Sequence, residues 1–147
     1  MLDKIIKFGG LQTLRKYITL LMVMTVVGAG LTIFLLFKSN LVVFINNDTD
    51  EEITDLTLTY EGIKEEITVP PIKPNEYESI KINPKKQAEE SFNGASLELH
   101  YKDDSGKVHS ETVFDHFETG QSGDAEVTIT DKDEKGVFTI EIDDEIY

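Results

Sequence analysis

Residues 17–37 read YITLLMVMTVVGAGLTIFLLF and contain no charged side chain. As an α-helix rising about 1.5 Å per residue, this stretch would be about 30 Å long, which matches the hydrocarbon core of a bilayer. We therefore predict a single N-terminal transmembrane helix. It divides the chain into a basic head at residues 1–16, a short linker at residues 38–40 and a separate domain at residues 41–147, which is long enough for one compact core.

The two sides of the predicted span differ strongly in charge. Residues 1–40 carry five basic side chains and one acidic one, whereas residues 41–147 carry nine basic and 27 acidic ones, a net charge of −18. The positive-inside rule then predicts a single-pass plasma-membrane protein with a cytoplasmic N-terminus and an extracytoplasmic C-terminal domain. Small residues at 27–29 resemble a signal cleavage site, but apolar residues 31–37 continue beyond it, which favours a retained anchor.

The acidic composition also limits the classes of partner that the domain can bind. A net charge of −18 in one domain excludes the electrostatic attraction on which nucleic-acid binding depends. The chain has no cysteine, so disulfides and thiolate chemistry are excluded. We expect no cofactor, and the expected partners are the membrane itself and another envelope or secreted protein.

Small residues line one face of the predicted span. Thr25, Gly28, Ala29 and Thr32 are spaced by three or four positions, so they would lie along one side of a helix. Such a stripe lets a second helix approach closely, and it indicates self-association through the membrane. The alternative is a monomeric span, because small residues are common in membrane helices.

From residue 41 the apolar spacing changes to a period of two, which is the pattern of β-strands. The first segment, LVVFIN, is apolar on both faces and is therefore expected at the centre of a sheet. The predicted strands cover residues 41–46, 53–60, 64–69, 77–82, 95–102, 107–114, 125–131 and 136–143. The pattern predicts an all-β domain, an antiparallel β-sandwich in the immunoglobulin-like or fibronectin-like style, with a small barrel as the alternative.

The histidines are the natural candidates for chemistry. If residues 103–106 form a four-residue turn, two imidazoles and two carboxylates share the outer face of a hairpin, with His100 opposite His109. The four side chains are those of Glu98, His100, His109 and Glu111. These groups are ligands of Zn²⁺ and other divalent ions, and paired imidazoles repel once protonated. The pattern therefore predicts a metal site or a pH-sensitive patch; the alternative is a set of solvated side chains.

A second candidate is the aromatic and acidic segment FDHFETG at residues 114–120. Phe114, His116 and Phe117 would form a contact surface for a partner if the segment is an exposed loop. If it is instead the end of a strand, the two phenylalanines would cap the core.

The layout of a basic head, one span and a small extracytoplasmic domain resembles that of small single-pass envelope proteins of Gram-positive bacteria. We therefore expect a non-enzymatic, membrane-anchored module that binds another protein of the cell envelope. One alternative is an immunity or chaperone-like protein that masks a cationic secreted partner, which the acidic domain suggests. A more remote alternative is a metal-dependent hydrolase that uses His100 and His109.

Overall fold

The computed structural model describes residues 17–22, 24–25 and 40–147, and the chain divides into two compact units, Met1–Lys38 and Ser39–Tyr147. In the first unit the described residues are helical and exposed, and the Thr25 hydroxyl donates to the carbonyl of Leu21 at 2.9 Å. Within these described residues, no helix combines the length and the apolar character needed to cross a membrane. Most of the predicted span lies outside them, as do Gly28, Ala29 and Thr32 of the predicted helix-association stripe.

The second unit contains eight strands, and each falls on a segment that the period-two pattern predicted. Their bounds are β1 Leu41–Asn47, β2 Thr57–Thr59, β3 Ile67–Thr68, β4 Tyr77–Ile82, β5 Asn93–Lys102, β6 Val108–Glu118, β7 Gly123–Lys132 and β8 Phe138–Ile146. A short helix, Pro84–Gln87, lies between β4 and β5. Its proline stands in the first turn, where the missing N–H would have had no helical partner in any case.

The strands form two four-stranded sheets, in the orders β4-β1-β7-β8 and β3-β2-β5-β6. The prediction of an all-β sandwich made of two sheets is confirmed. β1 lies inside its sheet, as its two apolar faces indicated. One detail of the prediction was wrong, because β1 pairs with β7 in parallel and the sheets are not purely antiparallel. The two strands are about eighty residues apart in sequence, and a long connection can return in either direction, unlike a tight hairpin.

The core lies between the sheets and follows directly from the alternation. In β1 the buried side chains are every second residue, and in β5 the same alternation buries Leu97, Leu99 and Tyr101. Each fully buried large aliphatic or aromatic side chain stabilises the fold by about 1.5–3 kcal/mol relative to exposure. Since the domain has no disulfide, this core supplies its main cohesion.

Asn47, the last residue of β1, is the one buried polar side chain among the described residues. Its amide nitrogen donates to the carbonyls of Glu51, at 2.7 Å, and Ile72, at 2.9 Å. Its amide oxygen accepts from the backbone nitrogen and the hydroxyl of Thr49, at 3.0 and 2.7 Å. These bonds satisfy both ends of the amide, so its burial costs little, and they fix the segment that leaves β1.

Replacing Asn47 by alanine removes all four bonds. The carbonyls of Glu51 and Ile72 each keep one other donor, but the backbone nitrogen of Thr49 loses its acceptor and the side-chain links between β1 and these residues are lost. We expect Asn47→Ala to lower the free energy of unfolding by about 2–4 kcal/mol. Urea unfolding followed by tyrosine fluorescence measures this, because the chain has five tyrosines and no tryptophan.

The matched control is Asn46→Ala in the neighbouring position. Asn46 is only half-buried and donates to Glu126 at 2.7 Å on the exposed side of the sheet. Its removal is expected to cost less than about 1 kcal/mol. Equal losses for the two variants would contradict the role assigned to Asn47.

Candidate binding groove

Two hairpin turns of the same construction lie at one end of the domain. In residues 103–107, between β5 and β6, the backbone nitrogen of Gly106 donates to the carbonyl of Asp103, and that of Asp103 donates to the carbonyl of Lys107. Residues 133–137, between β7 and β8, repeat this arrangement with Asp133 as the first residue. Gly106 and Gly136 have φ angles of 82° and 83°, the left-handed conformation that favours glycine.

The first aspartate of each turn organises the loop through its carboxylate. Asp103 accepts from the backbone nitrogens of Ser105 and Lys107 at 2.9 and 3.0 Å. Asp133 accepts from the backbone nitrogens of Lys135 and Val137 at 2.9 and 2.8 Å. Because these bonds favour the charged carboxylate, they help to hold the pKa of each aspartate below its usual range.

The two turns also contact each other, which joins the two sheets at this end. The backbone nitrogen of Asp104 donates to the carbonyl of Lys135 at 3.0 Å. Gly136 lies directly against Asp104, where an added Cβ would stand 2.8 Å from the Asp104 backbone nitrogen. Gly136 is therefore required by two constraints at once, its backbone conformation and the close approach of the other turn.

An aromatic cluster beneath the turns strengthens this junction. The ring of Tyr101 stacks on that of His109, with centroids 5.1 Å apart, and packs against Phe138 at 4.6 Å. The backbone nitrogen of Phe138 donates to the Tyr101 hydroxyl at 3.3 Å. His109 Nε2 lies 3.0 Å from Asp103 Oδ2, so the histidine connects the cluster to the turn above it. Burial raises the pKa of the Tyr101 phenol.

A groove of about 800 Å³ lies between these turns and the segment at residues 52–57. Its floor contains the apolar side chains of Leu56, Tyr101 and Phe138. Five carboxylates and two amines line it, so the excess charge is negative. These side chains are Glu52, Asp55, Glu66, Asp103, Asp104, Lys102 and Lys132.

The wall at residues 52–57 departs from regular strand geometry at Asp55. This residue has a φ of 61°, a left-handed conformation that aspartate tolerates better than most side chains. Its carboxylate accepts from the Thr54 hydroxyl at 3.0 Å. The kink shortens the predicted strand 53–60 to Thr57–Thr59 and leaves Ile53 paired with Ile72 in an isolated bridge.

The predicted metal site at Glu98, His100, His109 and Glu111 is not assembled. The turn contains five residues, 103–107, and Lys102 pairs with Val108 rather than with Lys107. This shift of one residue reverses the faces, as expected for a period of two. Glu98 and His100 lie on the outer face, whereas His109 and Glu111 lie on the inner face, opposite Tyr101 and Leu99.

The outer pair forms a small hydrogen-bonded group of its own. Glu98 Oε2 lies 2.8 Å from His100 Nε2 and accepts from the Ser110 hydroxyl at 2.8 Å. These bonds, first that to His100, lower the pKa of Glu98. Across residues 17–22, 24–25 and 40–147 no three acidic or histidine side chains are grouped so that they could hold a metal ion.

The predicted contact surface at residues 114–117 is divided between core and surface. Two register shifts between β5 and β6 each insert one extra residue into β6, so that both Phe114 and Phe117 point inward. Both phenylalanines are fully buried, and only His116 remains exposed. The interpretation in which these rings cap the core is the one that the structure supports.

Sequence reasoning missed the groove, although two signals of it were present. The first is the repeated pattern of an aspartate followed three positions later by a glycine, at 103–106 and 133–136, which marks two turns of one type. The second is a spacing of three between Ile53 and Leu56, which breaks the period of two where the backbone kinks. Neither signal indicates that the turns and the kinked segment meet in space.

No protein-family model matches this chain, and no curated protein matches it. A solved structure that resembles it is the NMR structure of a protein from Eubacterium rectale. The two sequences are 18% identical, the similarity covers 71% of this chain and 89% of the other, and the TM-score is 0.43. A TM-score of this size supports no argument about fold or function.

The contact between the turns can be tested with a matched pair of glycine variants. Gly106→Ala introduces backbone strain alone, because its Cβ would meet no atom within 4 Å, and we expect a loss of about 1–2 kcal/mol. Gly136→Ala adds a steric clash with Asp104 and is expected to cost about 1–3 kcal/mol more. Equal losses in thermal or urea unfolding would show that the two turns do not touch.

The Asp103 carboxylate predicts a dependence of stability on pH. His109, Ser105 and Lys107 hold the pKa of Asp103 well below its usual range, and the His109 contact contributes most. The unfolded chain therefore binds the proton first, and the stabilisation is complete above about pH 4 and is lost as the pH falls further. We expect Asp103→Asn to show a smaller loss of stability than the parent between about pH 4 and 2.

Glu134→Gln is the control for this measurement of how steeply stability falls with pH. Glu134 is an exposed carboxylate in the equivalent turn and has no hydrogen bond or ion pair in the described part of the chain. It changes the net charge equally and is expected to keep the parental slope in acid unfolding. If Asp103→Asn also keeps that slope, the assigned role of its carboxylate is wrong.

Proposed function

We propose that this chain is a non-enzymatic binding module that takes a basic segment of another protein into the groove described above. The observation that carries the proposal is the composition of the groove, an apolar floor surrounded by five carboxylates and two amines. Its volume, about 800 Å³, is within the range of sites that enclose a ligand or an inserted side chain. A lysine or arginine side chain would place its stem on the floor and its charge among the carboxylates.

The position of the groove within the domain suits this role. The chain enters at Asn40, whose carbonyl accepts from Gly123, and it ends at Tyr147, which pairs with Ser122. These contacts lie at the start of β7, whereas the groove contains Lys132 at its end. The groove is therefore at the end of the domain far from the point where the preceding residues attach.

We further propose that residues 17–37 are a retained membrane anchor, with residues 1–16 in the cytoplasm and the β-domain outside the plasma membrane. The charge difference across the apolar stretch supports this orientation. In that location the partner would be another protein of the cell envelope. Two finer predictions belong to the same proposal. The first is that the β-sandwich is of the immunoglobulin-like or fibronectin-like style. The second is that the chain self-associates through Thr25, Gly28, Ala29 and Thr32.

The charge of the domain favours a second candidate function. With 27 acidic and nine basic side chains, residues 41–147 would attract a cationic secreted protein and mask it, as an immunity or chaperone-like protein does. Complex formation through dispersed charge would weaken steeply with added salt, whereas a partner held in the groove would keep part of its affinity. The hydrolase alternative gains no support, because its proposed ligands lie on opposite faces of a sheet.

Because the chain has no cysteine, a single introduced thiol tests both location and partner. Thr68→Cys places it at the groove, on an exposed side chain. A membrane-impermeant thiol reagent carrying a photocrosslinker should label this variant in intact cells, and illumination should give a discrete adduct with one basic protein.

Two further single-cysteine variants are the controls. Ser91→Cys lies just before β5, at the end of that strand opposite the groove, and should be labelled without giving the same adduct. Lys4→Cys lies in the predicted cytoplasmic head and should not be labelled until the cells are opened. Labelling of Lys4→Cys in intact cells would refute the orientation, and identical adducts from Thr68→Cys and Ser91→Cys would refute binding in the groove.

A further inference from the structure

β8 is a nine-residue strand whose outer edge has no neighbouring strand among the described residues. Among the described residues it pairs only with β7, and it forms the end of its sheet. The outer row of backbone N–H and C=O groups of such a strand can pair with an added strand from another chain. β8 therefore offers main-chain binding groups that the described strands do not use.

The side chains on the outer face of β8 carry an unbalanced negative charge. Asp143 lies directly opposite Glu126 of β7, and Glu145 lies directly opposite Asp124. Like charges in these positions destabilise a strand pair. In the part of the chain that the structure describes, none of these four carboxylates forms an ion pair.

The inner face of β8 is apolar except at Asp144, and it is incompletely covered. Ile140, Ile142 and Ile146 face the core, yet each is only partly buried because no strand lies beyond them in the sheet. An added strand would place every second side chain over this row and the remaining side chains beside the outer carboxylates. The edge therefore favours a partner strand in which apolar and basic side chains alternate, with the apolar ones facing inward and the basic ones outward.

A second copy of this chain does not fit the same edge. Two β8 strands side by side would bring the outer carboxylates of one copy next to those of the other. Asp144 adds a further negative charge on the inner side of the edge, a device that discourages pairing of identical strands. The charges thus exclude self-pairing and leave a basic strand as the complementary occupant.

We propose that the free edge of β8 docks an extended segment of a partner protein in which basic and apolar side chains alternate. The added strand pairs its backbone with β8, and its basic side chains neutralise the carboxylates of Glu141, Asp143 and Glu145. This edge meets the groove only at Phe138, and none of its three carboxylates lines the groove, so the proposal holds whether or not the groove binds a partner.

The test uses the full chain in detergent and end-capped nine-residue peptides. A peptide that alternates lysine and valine should bind, measured by fluorescence anisotropy, and should slow hydrogen exchange at the β8 amides. Three peptides should bind much more weakly: one with glutamate for lysine, one with the same residues in two blocks, and one with a central proline that cannot donate to the ladder.

Charge variants locate the site on the protein. Glu141→Gln with Asp143→Asn removes two carboxylates at nearly constant shape, and the affinity for the lysine–valine peptide should fall by roughly 2- to 30-fold. Glu89→Gln with Glu90→Gln, two exposed acids between the short helix and β5, is the matched control and should bind as the parent does. Glu141→Lys with Asp143→Lys should instead favour the glutamate–valine peptide.

Several outcomes would overturn the proposal. Equal binding of the block or proline peptide would mean that charge alone attracts the probe. Slowed hydrogen exchange at the amides of β6 or β4 in place of β8 would show that the peptide binds at a different edge. Protection of the β8 amides that rises with the concentration of the chain alone would show that the chain pairs with itself at β8. That result, or equal losses in the two double variants, would also exclude a specific site for a basic strand.

Discussion

The amide of Asn47 is the interaction on which the arrangement of this domain depends. It terminates β1, the strand that lies between β4 and β7, and its four hydrogen bonds reach Thr49, Glu51 and Ile72. A buried amide is stable only when both of its ends are satisfied, so these bonds fix the chain that leaves the sheet. That chain then supplies the wall of the groove at residues 52–57.

The strands were predictable because the alternation of apolar and polar residues that marks a strand lies within the strand itself. Period-two alternation depends on which side chains meet the core, and the segments at 41–46, 77–82 and 95–102 are strands with nearly the predicted bounds. The faces of these strands followed as well, including the inward positions of Leu97, Leu99 and Tyr101. The parallel pairing of β1 with β7 was not predictable in this way, since no local pattern encodes the direction of a strand that returns after a long connection.

The predictions of the candidate sites on β5 and β6 were wrong for a different reason. Each depends on the register of strand pairing, and a change of one residue decides which side chains share a face. One additional residue in the turn at 103–107 places His100 and His109 on opposite faces, and extra residues in β6 turn Phe114 and Phe117 into the core. Alternation cannot detect such insertions, because it constrains strands and not the turns and bulges between them. The groove was hidden because it forms where two turns and a kinked segment meet, which are far apart in sequence.

The parallel alignment of β1 and β7 has a mechanical consequence. The chain enters at the start of β1, while the turns and the groove lie at the opposite end of the sheet. A load applied between the groove and Asn40 would act along β1 and would shear its hydrogen bonds to β4 and β7 together. Bonds loaded in shear must break collectively, whereas bonds at a strand end that is peeled sideways break one at a time. This domain is therefore built to resist tension along the axis that joins Asn40 to the groove.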